Sequence, residues 1–433
     1  MGILVKGVAI PETIAEYQGE AILKLAGKLI GARSFPDWID KELAASIYYL
    51  FYLPFPQVAK ESRNPLKLSL VSNILESPSF WKIKPRTVID RLVSMVASAS
   101  LIEKIVRNLP KQGNTRSEIG ENHQELGDSL SKALSLALRQ VEKDTRTAKE
   151  IESLITSTIP GSTSELAFED ILEEILLLSR KTDIAKILEK LSGVKLPNYI
   201  ARKTSRYPKG WIEGVELGGD PERIHHSQLA LPDELFYLLL AESKLLLYRR
   251  VFPLEEGPLY VLLDKSGSMQ GAKIDWARAV TLALYQRAVR EGRRFYARFF
   301  DALPHDLQES PPYPEARHVL RLLEYLGTVK AGGGTDITRA LATAISDIES
   351  GRTREVADIV LITDGEDKLS VNVLKGIIHR IPVRLHTVMI GGDNPSLRRV
   401  SESYMTVRQL GEGDLIRVVD NVEKARAGIP HRF

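Results

Sequence analysis

Apolar positions in the first half of the chain recur at helical spacing, whereas in the last third they gather into short continuous runs. Behind Pro11, residues Ile14, Tyr17, Ala21, Leu25 and Leu29 fall three or four apart. After Pro36 the same rhythm carries Trp38, Leu43, Ile47, Leu50 and Leu53, until Pro54 and Pro56 end it. The rhythm resumes at Leu130, Leu134, Leu138 and Val141, runs to Ile159 and restarts after Pro160-Gly161. There Ser162 and Glu165 have capping-box spacing ahead of an acidic amphipathic helix through Ile171, Leu172, Ile175 and Leu178. Residues 111–128 hold three Gly and almost no apolar anchors, and read as a flexible loop. Residues 1–200 are thus predicted to be an α-helical region. Arg202 to Leu231 is rich in Gly, Pro, Lys and Arg and shows no period. It reads as a long ordered loop leading into a helix from Pro232 to Arg250, so that 201–256 form a connecting loop and helix packing on the domain that follows.

From 257 to 433 the pattern changes. Leu259–Leu263, Arg294–Phe300, Ala357–Ile362 and Arg384–Ile390 are short apolar runs separated by helical stretches. Strand and helix in alternation predict an α/β doubly wound, Rossmann-like domain, in which ligands bind beyond the carboxyl ends of the strands.

Composition narrows the chemistry. Among 433 residues there is no cysteine, so any metal must be held by oxygen or imidazole. The formal charge is +3, with 25 basic and 24 acidic residues from Leu254 onward and 34 and 32 before it, so neither half is a polycation made for nucleic acid. Asn and Gln together number 19 while charged residues make up 27%, a balance that points towards a thermophile. Met1 to Lys6 has neither the basic region nor the apolar core of a signal peptide. The longest apolar run, Leu43 to Leu53, has 11 residues against the ~20 needed to span a bilayer. The expectation is a soluble cytoplasmic chain.

Three turns at the predicted strand ends carry candidate chemistry. They are Asp264-Lys265-Ser266-Gly267-Ser268-Met269, Gly332-Gly333-Gly334-Thr335-Asp336 and Thr363-Asp364-Gly365. Two carboxylates and three small hydroxyls on one rim suit a hard divalent cation, Mg²⁺ or Mn²⁺, and the glycines at 267 and 332–334 permit the tight turns this needs. A plainer reading of Asp264–Ser268 is a turn that caps the next helix, and Asp336 is open to the same reading as an N-cap.

The combination D-x-S-G-S, a Thr 67 residues after Ser268 and an Asp 29 residues after Thr335 resembles the metal-ion-dependent adhesion site of von Willebrand factor A (VWA) domains. The resemblance implies that Asp264, Ser266, Ser268, Thr335 and Asp364 hold the metal, the two Asp partly through water. It gives Asp336 a supporting place behind them and leaves a sixth position to a partner protein's carboxylate. The stretches Gly214–Asp220, Ser227–Leu231 and Leu245–Arg250, with Gly257-Pro258 before the first strand, are similar to the ViaA and CoxE group. Those proteins set a helical region before a C-terminal VWA domain and partner MoxR-class AAA+ ATPases. That resemblance implies a metal-dependent adaptor in chaperone-like remodelling or complex assembly; the alternative is an RNA-binding protein like the Ro family. No Walker A, G-x-S-x-G or paired-Asp phosphatase pattern occurs, so no enzyme is expected. His225-His226 lacks a third ligand at metal spacing and reads as hydrogen-bonding, Trp211 as a packing anchor, Lys265 as a rim charge and Met269 as packing.

Overall fold

Pro11 and the acidic first turn at Glu12 start the first helix, α1 (Glu12–Ile30), and Gly31, at φ +71°, ends it. The structure is a computed structural model. It describes residues 4–6, 11–31, 35–59, 64–108, 123–159, 171–194, 202–205, 211–253, 257–351, 355–365 and 371–426. Packing divides the chain into two units, one of residues 1–193 with 313–330, the other of 194–312 with 331–433.

In the first unit α1 is followed by α2 (Lys41–Tyr52), α3 (Pro65–Glu76), α4 (Pro78–Thr87), α5 (Arg91–Asn108), α6 (His123–Thr158), α7 (Leu172–Ser179) and α8 (Thr182–Leu191). Short strands β1 (Val5–Lys6) and β2 (Gln57–Val58) pair antiparallel. Asp40 caps α2 by accepting the Leu43 amide at 3.0 Å. Helix α5 is buried on nearly every face and packs against α1, α2 and α6, the position of a core helix. Its inward hydroxyls are all satisfied, Ser94 on the Thr87 carbonyl at 2.8 Å and Ser100 on Asp144 at 2.6 Å.

The far end of α2 is closed by a lysine from another helix. Lys84, 4% exposed, donates to the carbonyls of Phe51 (2.8 Å), Leu50 and Leu53, which have no partner within α2's own ladder. Lys84→Met leaves the buried Leu50 and Leu53 oxygens without a donor among the described residues, while Phe51 keeps the Thr87 hydroxyl at 3.0 Å. It is expected to cost about 2–3 kcal/mol, read as a lower urea midpoint with unchanged m-value.

Residues 313–330 lie between two strands of the C-terminal domain in the sequence yet pack with the first unit. Their helix, Ala316–Thr328, lies against α7 and α8. Lys181 pairs with Glu324 at 3.0 Å, and a β-carbon on Gly327 would meet Ile184 Cγ1 at 2.8 Å, so the backbones approach closely there.

The second unit holds two sheets. In the larger, β6 (Leu259–Asp264), β7 (Phe295–Phe300), β8 (Pro304–Ser310), β9 (Ala357–Thr363), β10 (Val383–Ile390) and β11 (Ser403–Val407) stand in the order β11-β10-β9-β6-β7-β8. All neighbours are parallel except β7 and β8. Every residue of β6 and β9 is buried, as expected of central strands covered on both faces. One face packs Tyr260, Leu262, Ile359 and Leu361 against helix Ile337–Ser350; helix Ala272–Arg290 packs against β6 and β7. The doubly wound expectation thus holds with a mixed sheet. The edge strands β8 and β11 were not expected, because β8 (PHDLQES) has no apolar face to read.

Residues 201–256 depart from expectation. The stretch read as a loop contains β3 (Arg202–Ser205) and β4 (Trp211–Gly218), and the predicted helix from 232 to 250 stops at Ala241. From Leu245 to Pro253 the chain is strand β5, pairing antiparallel with both. Ser243, at φ +54°, makes the break. A run such as Leu245-Leu246-Leu247-Tyr248 fits either period, and only pairing decides it.

The flexible loop expected near 111–128 is also shortened, since His123–Asp128 are already helical in α6. Residues 111–122, like the Ser162/Glu165 capping pair, lie outside the described residues. No helix among the described residues is long and apolar enough to cross a membrane.

Candidate metal site

Parallel pairing of β6 with β9 brings Asp264, the last residue of one, beside Thr363, the last of the other, and so beside Asp364. The Gly-rich turn reaches the same rim through three backbone bonds. The Gly332 amide donates to the Lys265 carbonyl at 2.6 Å, Gly267 to Gly333 at 3.2 Å and Asp336 to Asp301 at 3.0 Å. The approach needs glycine at 333, where φ is +98° and a β-carbon would lie 2.8 Å from Asp301 Oδ2. Gly267, against expectation, has ordinary φ and room for a β-carbon; its contribution is its amide.

The side chains form a connected chain of oxygens. Asp264 Oδ1 accepts the Ser266 amide at 2.8 Å and Oδ2 accepts the Thr363 hydroxyl at 2.5 Å. Ser266 Oγ lies 3.1 Å from Ser268 Oγ, which donates to Asp364 Oδ1 at 2.7 Å, while Lys273 Nζ donates to Asp364 Oδ2 at 2.5 Å. Thr335 joins them across Gly365. A β-carbon there would lie 3.1 Å from Thr335 Cγ2, 3.3 Å from Thr363 Oγ1 and 3.6 Å from Asp264 Oδ2. All five predicted residues therefore meet at one rim, with Asp264 fully buried and Ser268 exposed.

Asp336 is an N-cap, accepting the Arg339 amide at 2.9 Å at the start of helix Ile337–Ser350. Lys265 is a charge at the rim, as read from the sequence, but it is not solvated. Its side chain is mostly buried and bonds Asp301 at 2.8 Å and the Gly332 carbonyl at 3.2 Å. Burial opposes ionisation of Asp301, but Lys265, the Leu303 amide and His305 hold its carboxyl down at about 2. Met269 is buried. Away from the rim, His226 Nδ1 meets the Tyr248 hydroxyl at 2.6 Å and His225 Nδ1 meets Ser227 Oγ at 2.8 Å. The side chain of Trp211 lies outside the described residues.

Sequence reasoning missed Thr363 and Lys273. Thr363 carried a usable signal as the polar end of an apolar run; Lys273, in the first turn of a helix, carried none.

The donor set fits a hard cation. Burial pushes the Asp264 carboxyl up, and the nearby Asp364 charge adds to this, against the bonds from Thr363 and Ser266. All its hydrogen-bond partners among the described residues are neutral. A buried carboxylate so placed is costly unless a cation offsets it, and the surrounding hydroxyl oxygens are donors that Mg²⁺ or Mn²⁺ accepts. Among the described residues no cluster of three or more His, Asp or Glu offers a different kind of site.

Residues 259–366 match the family described as von Willebrand factor type A domain. This part of the chain is a VWA domain. Two uncharacterized proteins of Methanocaldococcus jannaschii are similar over greater lengths. One is 26% identical over 375 residues, 81% of this chain and 83% of its own. The other is 24% identical over 384 residues, 86% and 91%. Matches of that length extend beyond the VWA domain into the helical unit. Among solved structures, the mussel byssus proximal thread matrix protein 1 with zinc occupying its MIDAS motif is 15% identical. It has a TM-score of 0.33 over 40% of this chain and 48% of that one. A von Willebrand factor type A protein of Catenulispora acidiphila is 17% identical, with a TM-score of 0.31 over 42% and 44%. The chain thus spans about half the length of these two structures.

Proposed function

We propose that the chain is a metal-dependent protein-interaction adaptor. Asp264, Ser266, Ser268, Thr335 and Asp364 would hold Mg²⁺ or Mn²⁺ at the rim, where the ion supplies a Lewis-acid point for a partner's Asp or Glu. The observation that carries this reading is the buried Asp264 carboxylate, held among the described residues by neutral donors alone, beside a second carboxylate and an exposed hydroxyl. Catalysis is no part of it. Among the described residues Ser268 gives its hydroxyl to Asp364 and has no imidazole beside it, so the reading assigns it no nucleophilic role. The partner is a MoxR-class AAA+ ATPase, for which the helical unit provides further contacts, and the pair works in the cytoplasm on remodelling or assembly of other proteins. The two long relatives favour such joint action, since both match the helical unit along with the VWA domain.

Affinity purification of wild type beside Asp264→Ala, each with and without EDTA, tests this. A AAA+ ATPase should be recovered only with wild type in the presence of metal. Equal recovery in all four samples overturns the proposal.

A further inference from the structure

The two rim carboxylates differ in their surroundings. Among the described residues Asp264 has neutral donors only, whereas Asp364, its side chain 2% exposed, already holds the Lys273 ammonium on Oδ2 at 2.5 Å. Its other oxygen accepts the Ser268 hydroxyl, so both oxygens already have a partner within the protein. Lys265, the other ammonium at the rim among the described residues, is paired with Asp301. Lys273 stands in the first turn of helix Ala272–Arg290, just beyond Gly271 at φ +87°, and its side chain is 37% exposed. A lysine so placed swings its ammonium into water by rotating its own side chain, without moving the strand end that carries Asp364.

We propose that Lys273 is the resident counter-ion of the site: it neutralises Asp364 in the metal-free protein and competes with a divalent cation for that carboxylate. The inference rests on the adaptor reading, because it presumes that the rim takes a metal. Without metal, one ammonium balances one of two nearby carboxylates and lowers the cost of keeping both charged. With metal, the same ammonium is a like charge beside a dication and must give up its bond. Lys273 therefore stabilises the empty rim and weakens the loaded one, which sets the cation concentration at which the adaptor becomes competent.

The test is Mn²⁺ binding to the full chain, followed by electron paramagnetic resonance of the free ion, for wild type, Lys273→Met and Lys273→Arg. Lys273→Met should bind about tenfold more tightly, and Lys273→Arg should stay close to wild type. Thermal melts give a second readout. In EDTA the Met variant should melt below wild type, and saturating Mn²⁺ should raise its melting temperature by more than it raises that of wild type. Equal or weaker Mn²⁺ binding by Lys273→Met, in protein with native circular dichroism, overturns the inference while leaving the adaptor reading intact. If neither wild type nor Lys273→Met binds Mn²⁺, the adaptor reading itself falls and takes this inference with it.

Discussion

Asp264→Asn should reduce Mn²⁺ affinity by about a hundredfold or more while leaving the metal-free protein as stable as wild type. Losing a group that only orients a ligand costs about 10–100-fold, and on the adaptor reading Asp264 helps to hold the ion itself, so the upper end is the floor here. Stability is expected to behave differently because of what surrounds the carboxylate. It is fully buried, burial pushes it up, and its partners are the Ser266 amide and the Thr363 hydroxyl. Asparagine keeps the shape and one acceptor, and the Thr363 hydroxyl can turn to accept from the amide, so a desolvated charge is removed at little loss of bonding. Titration calorimetry with Mn²⁺ and urea unfolding in EDTA read the two effects separately. Unchanged affinity excludes Asp264 as a ligand. A fall of more than about 2 kcal/mol in metal-free stability means that the carboxylate is structural and the site reading is wrong.

The rim was readable in the sequence because each of its turns is local. A strand of five or six apolar residues ends at Asp264 or Thr363, the small polar residues follow at once, and parallel topology alone brings two such ends together. What escaped depended on packing between distant segments. Leu245–Pro253 has the composition of a helix or a strand, and its pairing with β3 and β4 decides the matter. Helix Ala316–Thr328 follows β8 in sequence, but its apolar face of Val319, Leu320, Leu323 and Leu326 is buried in the helical unit. No local pattern records which neighbour a stripe will find. Lys273 was invisible for a related reason, since a lysine in a first helical turn carries no mark of the carboxylate it will meet 91 residues later.

The sheet is tied at its opposite end by charges that no sequence rule would pair. Asp358, at the start of β9, is fully buried, six residues or about 20 Å along the strand from Asp364. Arg293 Nη2 bonds its Oδ2 at 2.6 Å, and Arg384 Nε bonds its Oδ1 at 2.7 Å, with His386 Nε2 3.2 Å from the same Oδ1. Arg293, itself 2% exposed, also donates to the carbonyls of Gly257 at 2.8 Å and Pro258 at 3.3 Å. One guanidinium thus joins the entry of β6, the entry of β9 and the turn that leads into β7.

Arg293→Met is accordingly expected to destabilise the VWA unit by about 3–5 kcal/mol, because it leaves Asp358 buried with part of its positive surroundings gone, the Gly257 carbonyl without its guanidinium donor and the Pro258 carbonyl with the Asp358 amide alone. The pH dependence follows from the same cluster. Burial opposes ionisation of Asp358, but His386, Arg293 and Arg384 outweigh it and hold the carboxyl well below the usual carboxylate range. A carboxyl depressed on folding contributes stability that is present above its unfolded value near pH 4 and is lost as pH falls towards the folded value. Wild type should therefore lose stability below about pH 4, and Arg293→Met, already deprived of part of that contribution, should show a shallower loss over the same range. Hydrogen exchange of the β6 and β9 amides reads the VWA unit apart from the helical one. Arg384→Met, at a side chain 24% exposed, provides the milder comparison. A cost below about 1 kcal/mol for Arg293→Met would mean that the cluster behaves as a surface pair. With the cost as expected and Mn²⁺ affinity of the folded protein unchanged, the two ends of the sheet divide their tasks, one holding the strands together and the other holding the ion.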